Sequence, residues 1–134
     1  MIKALHHIAI AVESIDAVLP RWVDGLGLTL YGREDVPGEQ VRVAILMAGD
    51  TRIELVEPMS PTSPVAKFLE KRGPGLHHLA FHVDDTGKMM KVLADRGATL
   101  LSDAPKPGAH GTQQAFLHPR WLGGVLAELV EEHK

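Results

Sequence analysis

The sequence predicts an α+β fold built from two tandem copies of a βαβββ module. The first observation is a repeated strand, because residues 5–12 read LHHIAIAV and residues 76–83 read LHHLAFHV. The second is a repeated ending, with IELVE at residues 53–57 and AELVE at residues 127–131. The third is an amphipathic helical pattern that follows each copy of the opening strand. A repeat of this length indicates two equivalent structural units in one chain.

Composition limits the class of protein. At 134 residues the chain has the length of one ordinary domain, so we expect the two modules to share one core. A net charge of −3 offers no basic surface for nucleic acid, and no apolar run reaches the roughly 20 residues of a membrane span. We therefore expect neither a nucleic acid nor a membrane as a partner. The absence of cysteine and of a targeting peptide before the first strand fits a cytoplasmic location.

The first module is predicted over residues 1–58. Residues 5–12 alternate between large aliphatic and other side chains, which is the period of a β-strand. Ser14 is a good N-cap for the helix that follows, and Pro20 should kink or shorten that helix. Three short extended runs, separated by turn residues, follow at residues 28–33, 41–47 and 51–57.

A connecting helix and a second module complete the predicted single domain over residues 1–134. The connector covers residues 59–75, where Ser63 and Pro64 form an N-cap followed by proline at the first helical position. The second module covers residues 76–134 and repeats the strand and the helix. Its three further strands are predicted near residues 99–102, 113–117 and 125–130. We expect the glycine-rich loop at 105–111 to be mobile or shaped around a ligand.

Four polar residues occupy equivalent positions in the two modules. Strand alternation places His7 and His78 opposite the aliphatic faces of their strands, while Glu54 and Glu128 interrupt otherwise apolar strands. If the modules pair through a pseudo-twofold axis, these four side chains come together. Two imidazoles and two carboxylates suit a divalent ion such as Zn²⁺, Co²⁺, Ni²⁺, Mn²⁺ or Fe²⁺, with positions left open for water or substrate.

Each of these residues also has an ordinary structural interpretation. A single strand histidine more often makes a structural hydrogen bond, and a glutamate near a strand end is usually solvated; only the repetition favours a metal site. Five neighbouring residues are not expected to bind the ion, since they have the wrong strand parity, are solvated, or lie in the C-terminal tail: His6, His77, Glu57, Glu131 and His133. His82 and His110 are candidates for lining a pocket.

The double histidine strand, the module order and the two strand glutamates resemble the vicinal-oxygen-chelate superfamily of glyoxalases, bleomycin-resistance proteins and dioxygenases. The resemblance implies a cupped eight-stranded sheet with its helices on the outside. Five strings are similar to those of methylmalonyl-CoA epimerases, at residues 63–73, 75–81, 107–111, 116–119 and 123–130. The fold alone would say little about function, because it hosts many activities.

The resemblance implies an enzyme that interconverts (R)- and (S)-methylmalonyl-CoA by removing and returning the α-proton through a metal-stabilised enolate. It implies His7, His78 and Glu128 as ligands of one divalent ion, such as Co²⁺, Zn²⁺, Ni²⁺, Mn²⁺ or Mg²⁺. Glu54 stands at the position of a fourth ligand. Glu128 is the expected catalytic base, and a homodimer is the expected assembly.

The second acid or base differs from that of some epimerases. Some epimerases carry another glutamate at the position that matches Val43. Because valine has no proton to transfer, three alternatives remain for completing the inversion: a water molecule, a histidine such as His82, or rotation of the planar enolate. The expected polar contacts with the acyl-CoA substrate are His82, Lys106, His110 and Arg120.

Two alternatives remain open. A glutamate at position 54 is also the pattern of glyoxalase I, so a lactoylglutathione lyase is the second enzyme hypothesis. Glyoxalases usually carry an Asp-Pro-Asp-Gly-like turn before the last strand, whereas residues 118–124 read HPRWLGG, and Trp121 departs from the epimerase pattern. The third hypothesis is a non-catalytic ligand-binding member of the superfamily, which needs no metal.

Overall fold

The computed structural model describes residues 1–132, and His133 lies outside the described residues. Contacts divide the chain into two units. The first unit is His7–His77, and the second unit is Met1–His6 together with the chain from His78 onward. No helix within residues 1–132 is long and apolar enough to cross a membrane.

The elements follow the predicted order. The α-helices are α1 (Ile15–Pro20), α2 (Pro64–Arg72) and α3 (Thr86–Asp95). The strands are β1 (Ile2–Ala11), β2 (Thr29–Val36), β3 (Val41–Ala48), β4 (Thr51–Pro58), β5 (Gly75–Val83), β6 (Lys106–Pro107), β7 (Gln113–Leu117) and β8 (Ala127–Glu131). All eight are strands of one mixed sheet. The predicted α+β fold with two βαβββ modules is confirmed.

Within the first unit the strands pair in the order β2-β3-β4-β1, and only the pair of β1 with β4 is parallel. One face packs against α1, where Ile15, Leu46 and Leu55 are completely buried. The register sets Ala9 opposite Glu54. Because side chains alternate along a strand, His7 lies on the same face as Ala9 and Glu54, away from α1.

Pro20 shortens the first helix, as the sequence predicts. It lacks the N–H that would continue the α-helical pattern, so α1 ends there. The chain continues as a π-helical turn over Arg21–Gly25, in which the N–H of Leu26 donates to the carbonyl oxygen of Arg21 at 2.8 Å.

The second unit repeats the arrangement in the order β5-β8-β7-β6, with a single parallel pair, β5 with β8. Helix α3 covers one face, and Met90 and Leu93 lie in one buried cluster with Leu117 and Leu129. The opposite face carries the second histidine and glutamate, since Ala80 lies opposite Glu128.

The predicted strand at 99–102 is wrong. That segment makes only an isolated bridge, between Leu100 and Leu117, and the regular strand is β6 at Lys106–Pro107. A turn separates the two, in which the Ser102 hydroxyl donates to the Ala104 carbonyl at 2.9 Å. Pro105 then follows without a backbone N–H to pair with β7, so the ladder is interrupted there.

Glu57 and Glu131, expected to be solvated, instead hold the starts of two helices. Glu57 Oε1 accepts a hydrogen bond from the backbone N–H of Ile15 at 2.7 Å. Glu131 Oε1 accepts one from the backbone N–H of Thr86 at 2.8 Å. A carboxylate is favourable at a helix N-terminus, where the backbone N–H groups have no partner within the helix. Each glutamate thereby ties the last strand of its module to the helix of that module.

Candidate metal and substrate site

In the first unit, His7 and Glu54 form a buried pair. His7 Nδ1 lies 3.3 Å from Glu54 Oε2, and the two side chains are 7% and 8% exposed. Strand register explains the contact, because Ala9 is opposite Glu54 and His7 precedes Ala9 by two residues on the same face. Ala9 is completely buried, and its short side chain leaves room for the imidazole to reach the carboxylate.

The second unit contains the equivalent pair. His78 Nε2 lies 3.0 Å from Glu128 Oε1, with both side chains less than a tenth exposed. The ring of Phe116, which is opposite Glu128 in the register of β7 with β8, meets the ring of His78 edge-on. The ring centroids are 5.2 Å apart at an angle of 89°. This packing restricts the orientation of the imidazole.

These residues fit a divalent metal ion by their chemistry. A buried carboxylate is costly unless a partner compensates its charge, and both glutamates are nearly inaccessible. Imidazole nitrogen and carboxylate oxygen are suitable ligands for borderline and hard divalent ions. Among residues 1–132 there are two sets of two histidines and one glutamate whose donor atoms lie close enough together to hold such an ion.

Val43 lies on the same face of the first unit as Glu54. It is opposite Val56, two residues after Glu54 in β4, and is 4% exposed. An aliphatic side chain therefore occupies the position where the resemblance places a second glutamate in some epimerases, and no proton can be transferred from it.

His82 shares its face with His78 and Glu128, since it lies two residues beyond Ala80 and opposite Val130. Its ring centroid is 6.3 Å from that of His6, whose Nε2 lies 2.7 Å from Glu132 Oε1. Of the four predicted substrate contacts, His82 is the one that the second unit places on the same strand as a predicted ligand.

The other three predicted contacts lie in exposed positions. Lys106 is exposed in β6, opposite Gln114. His110 is exposed at the tip of a short helical turn with a left-handed φ of 54°. Arg120 lines a cavity of about 300 Å³ together with Thr99, His118 and Trp121. Trp121, which departs from the epimerase pattern, therefore lines the same cavity as Arg120.

Two residues on this face, Gln114 and Phe116, were not predicted as site residues from the sequence. Gln114 is 4% exposed, and Phe116 packs against His78. Both have the same parity in the predicted strand at 113–117, opposite to that of the aliphatic Leu117. Strand alternation, applied to this segment as it was to the histidine strands, would have identified them.

The fold is that of a known superfamily. Residues 6–116 match the model of the Glyoxalase/Bleomycin resistance protein/Dioxygenase superfamily, and the chain belongs to this superfamily. Within it, the chain is 39% identical over 133 residues to the ethylmalonyl-CoA/methylmalonyl-CoA epimerase of Cereibacter sphaeroides. That match covers 98% of this chain and 99% of the relative.

Two solved structures show the same fold. The methylmalonyl-CoA epimerase of Mycobacterium tuberculosis superposes with a TM-score of 0.94 at 35% identity, over 99% of this chain and 90% of that one. A variant of the Streptomyces coelicolor methylmalonyl-CoA epimerase, in complex with 2-nitronate-propionyl-CoA, gives 0.90 at 32% identity over the whole of both chains.

Proposed function

We propose that this chain is a metal-dependent methylmalonyl-CoA epimerase, which interconverts the (R) and (S) epimers of its substrate. The observation that carries the proposal is the repeated contact of a buried histidine with a buried glutamate, His7 with Glu54 and His78 with Glu128. The full-length similarity to proteins with epimerase names supports the choice of reaction.

The four residues are proposed to be the ligands of one divalent ion, of the group Co²⁺, Zn²⁺, Ni²⁺, Mn²⁺ and Mg²⁺. When bound, such an ion supplies positive charge that stabilises the enolate form of the substrate. His7, Glu54, His78 and Glu128 lie on strands at equivalent positions of the two modules, and the side chain of each is less than a tenth exposed. Rigid strands are the elements that hold ligands most accurately.

Glu128 is the proposed base that takes the α-proton. Its carboxylate is held beside His78, whose ring is packed against Phe116, so the oxygen atoms are confined to a small region. A positioned carboxylate is one of the side-chain groups that can take a proton from a reacting carbon. During the reaction the proton passes from the α-carbon to a Glu128 oxygen.

His82 is the proposed source of the proton that returns to the opposite side of the enolate. Val43 has no group that transfers a proton, whereas His82 lies on the face of Glu128, one side-chain row further along the sheet. An imidazole exchanges protons readily near neutral pH.

The acyl-CoA substrate, a homodimeric assembly and a cytoplasmic location complete the proposal. Lys106, His110 and Arg120 are exposed, and the two that carry a fixed charge are suited to contact the phosphates of coenzyme A. Their exposure leaves them accessible to a ligand that is charged at its far end.

The test is exchange of the α-proton of methylmalonyl-CoA with solvent deuterium. We expect the purified protein to exchange this proton and to interconvert the epimers. A chelator should abolish both activities, and one of the five divalent ions should restore them. Absence of exchange at every metal loading would overturn the proposal.

A lactoylglutathione lyase is the alternative enzyme, because the buried glutamate at position 54 also matches that activity. The same preparations should be assayed with the glutathione hemithioacetal of methylglyoxal, and we expect no lactoylglutathione. A non-catalytic binding protein would show normal folding, no bound divalent ion by elemental analysis, and neither activity.

A further inference from the structure

The second unit contains a buried polar side chain that the proposed chemistry does not use. Gln114 is 4% exposed, and within residues 1–132 its Oε1 has no hydrogen-bond partner. Buried amide oxygens are nearly always paired, since losing hydration without gaining a hydrogen bond is unfavourable. The buried Oε1 of Gln114 therefore indicates that a bound ligand supplies the hydrogen-bond donor.

Gln114 lies on the face of the sheet that carries Glu128. In the register of β7 with β8, Gln114 is opposite Val130 and Phe116 is opposite Glu128. Residues that oppose each other in a sheet share a face, so Gln114, Phe116 and Glu128 all lie on the face away from α3. Glu128 is the diagonal neighbour of Gln114, at a separation of about 7 Å.

The loop before β7 packs closely against Gln114. The N–H of Gly108 donates to the Thr112 carbonyl at 3.0 Å, and the Thr112 hydroxyl donates to the Ala109 carbonyl at 2.8 Å. A β-carbon added to Gly108 would lie 2.7 Å from the Thr112 hydroxyl oxygen and 3.4 Å from Gln114 Cγ. Gly108 thus marks a close approach of the backbone, which confines the Gln114 side chain.

The unsatisfied atom, Gln114 Oε1, determines which kind of ligand group can be its partner. An amide oxygen accepts hydrogen bonds, so the ligand must donate. The carboxylate, the thioester carbonyl and the sulfur of a malonyl thioester at neutral pH have no hydrogen to donate. The first donor along an acyl-CoA is the amide N–H of the cysteamine segment, five bonds from the α-carbon and about 6 Å away in an extended chain. This distance is close to the separation of Gln114 from Glu128.

We propose that Gln114 binds the cysteamine amide N–H of the acyl-CoA substrate through Oε1, and that this contact sets the position of the α-carbon relative to Glu128. The inference deepens the proposed function and rests on it, because it takes Glu128 as the base. From this contact the pantetheine chain crosses β7 toward β6, where exposed Lys106 lies opposite Gln114.

Two short thioesters test the contact directly. Methylmalonyl-S-(N-acetylcysteamine) retains the amide N–H, whereas the matching thioester of O-acetyl-2-mercaptoethanol has an ester oxygen in its place. We expect the wild type to exchange the α-proton of the amide compound with a kcat/KM about tenfold higher than that of the ester. In Gln114→Met, a change of similar volume, the ratio should fall to about one.

Gln113→Met is the matched control, because Gln113 is the adjacent glutamine of β7 and lies on the other face. It should keep the wild-type preference for the amide. Gln114→Met should melt at the same or a higher temperature than the wild type, since it removes a buried amide without a partner. Gln114→Leu provides a second apolar variant if Gln114→Met does not fold.

The outcomes separate this inference from the proposed function. A folded Gln114 variant that keeps the wild-type preference would overturn the role of Gln114 while leaving the epimerase intact. A wild type that exchanges no α-proton from methylmalonyl-CoA would overturn the epimerase. Calorimetric titration with propionyl-CoA then tests Gln114 on its own: we expect at least threefold weaker binding by Gln114→Met and unchanged binding by Gln113→Met. Equal affinities would end the inference.

Discussion

Ala80 lies directly opposite Glu128 in the parallel pair of β5 with β8, as Ala9 lies opposite Glu54 in the pair of β1 with β4. Both alanines are completely buried. A residue that ends at Cβ leaves space beside the carboxylate, so that a histidine two residues earlier can reach it. Small size at these two positions is therefore part of the candidate site.

Ala80→Val should disturb the second pair. Two added methyl groups would crowd Glu128 and lengthen its 3.0 Å contact with His78. We expect metal content to fall and exchange activity to drop at least about tenfold, with a loss of roughly 1–3 kcal/mol in the free energy of unfolding. Elemental analysis, exchange rates and thermal melting measure these effects.

Ala127→Val is the control for that change, because Ala127 is the neighbour of Glu128 on the α3 face of β8 and is 2% exposed. Overpacking there should lower stability by a similar amount. Metal content per folded molecule should stay at the wild-type value. Equal metal loss in both variants would show that Ala80 has no special relation to the site.

Replacing Glu128 or Glu54 by glutamine should lower the rate of α-proton exchange to different extents. Glu128→Gln removes the proposed base, and we expect exchange to fall by at least ~100-fold. Glu54→Gln retains an oxygen that can bind a metal ion, so exchange should stay within about tenfold of the wild type. The comparison is made at saturating metal with both variants folded. Equal losses would contradict the assignment of the base to Glu128.

His82→Gln should slow inversion of configuration at the α-carbon while leaving exchange of the α-proton with solvent. If His82 returns the proton to the opposite side, the variant still removes the α-proton through Glu128 but returns it to the side it left. Deuterium incorporation should continue, while the optical activity of an enantiopure substrate should decay more slowly. His77→Gln is the control, since His77 has the opposite parity and its ring packs against Phe68. A parallel fall of both rates would refute this role for His82.

Metal binding should stabilise the fold. An ion that binds only the folded chain adds about 2.7 kcal/mol to the free energy of unfolding at a concentration of 100 times its dissociation constant. We expect the melting temperature of the wild type to rise with added Co²⁺ or Zn²⁺ and to fall with chelator. His78→Ala should show neither response, whereas His77→Ala should behave as the wild type. A response that survives in His78→Ala would place the ion elsewhere.

Much of this site is visible in local patterns. The alternation that identifies His7 and His78 depends only on the period of a strand, and the repeat gives each residue a counterpart. The module order could be predicted for the same reason. The strand predicted at 99–102 could not be excluded in this way. Whether this segment forms a strand depends on its hydrogen bonds with β7, and Pro105 interrupts that pairing because it has no backbone N–H.

By itself, the sequence determined the two-module architecture, because this follows from short-range periodicity and from repetition. Its resemblance to known sequences indicated the superfamily, and strand alternation predicted that two histidines and two glutamates come together. Only the tertiary structure decided that Glu57 and Glu131 hold helix N-termini and that Gln114 is buried. Those roles depend on segments distant in sequence, the helix start beside the strand end and the loop around Gly108 over β7. A local sequence pattern does not show which distant residue will contact a given side chain, because that contact depends on long-range packing.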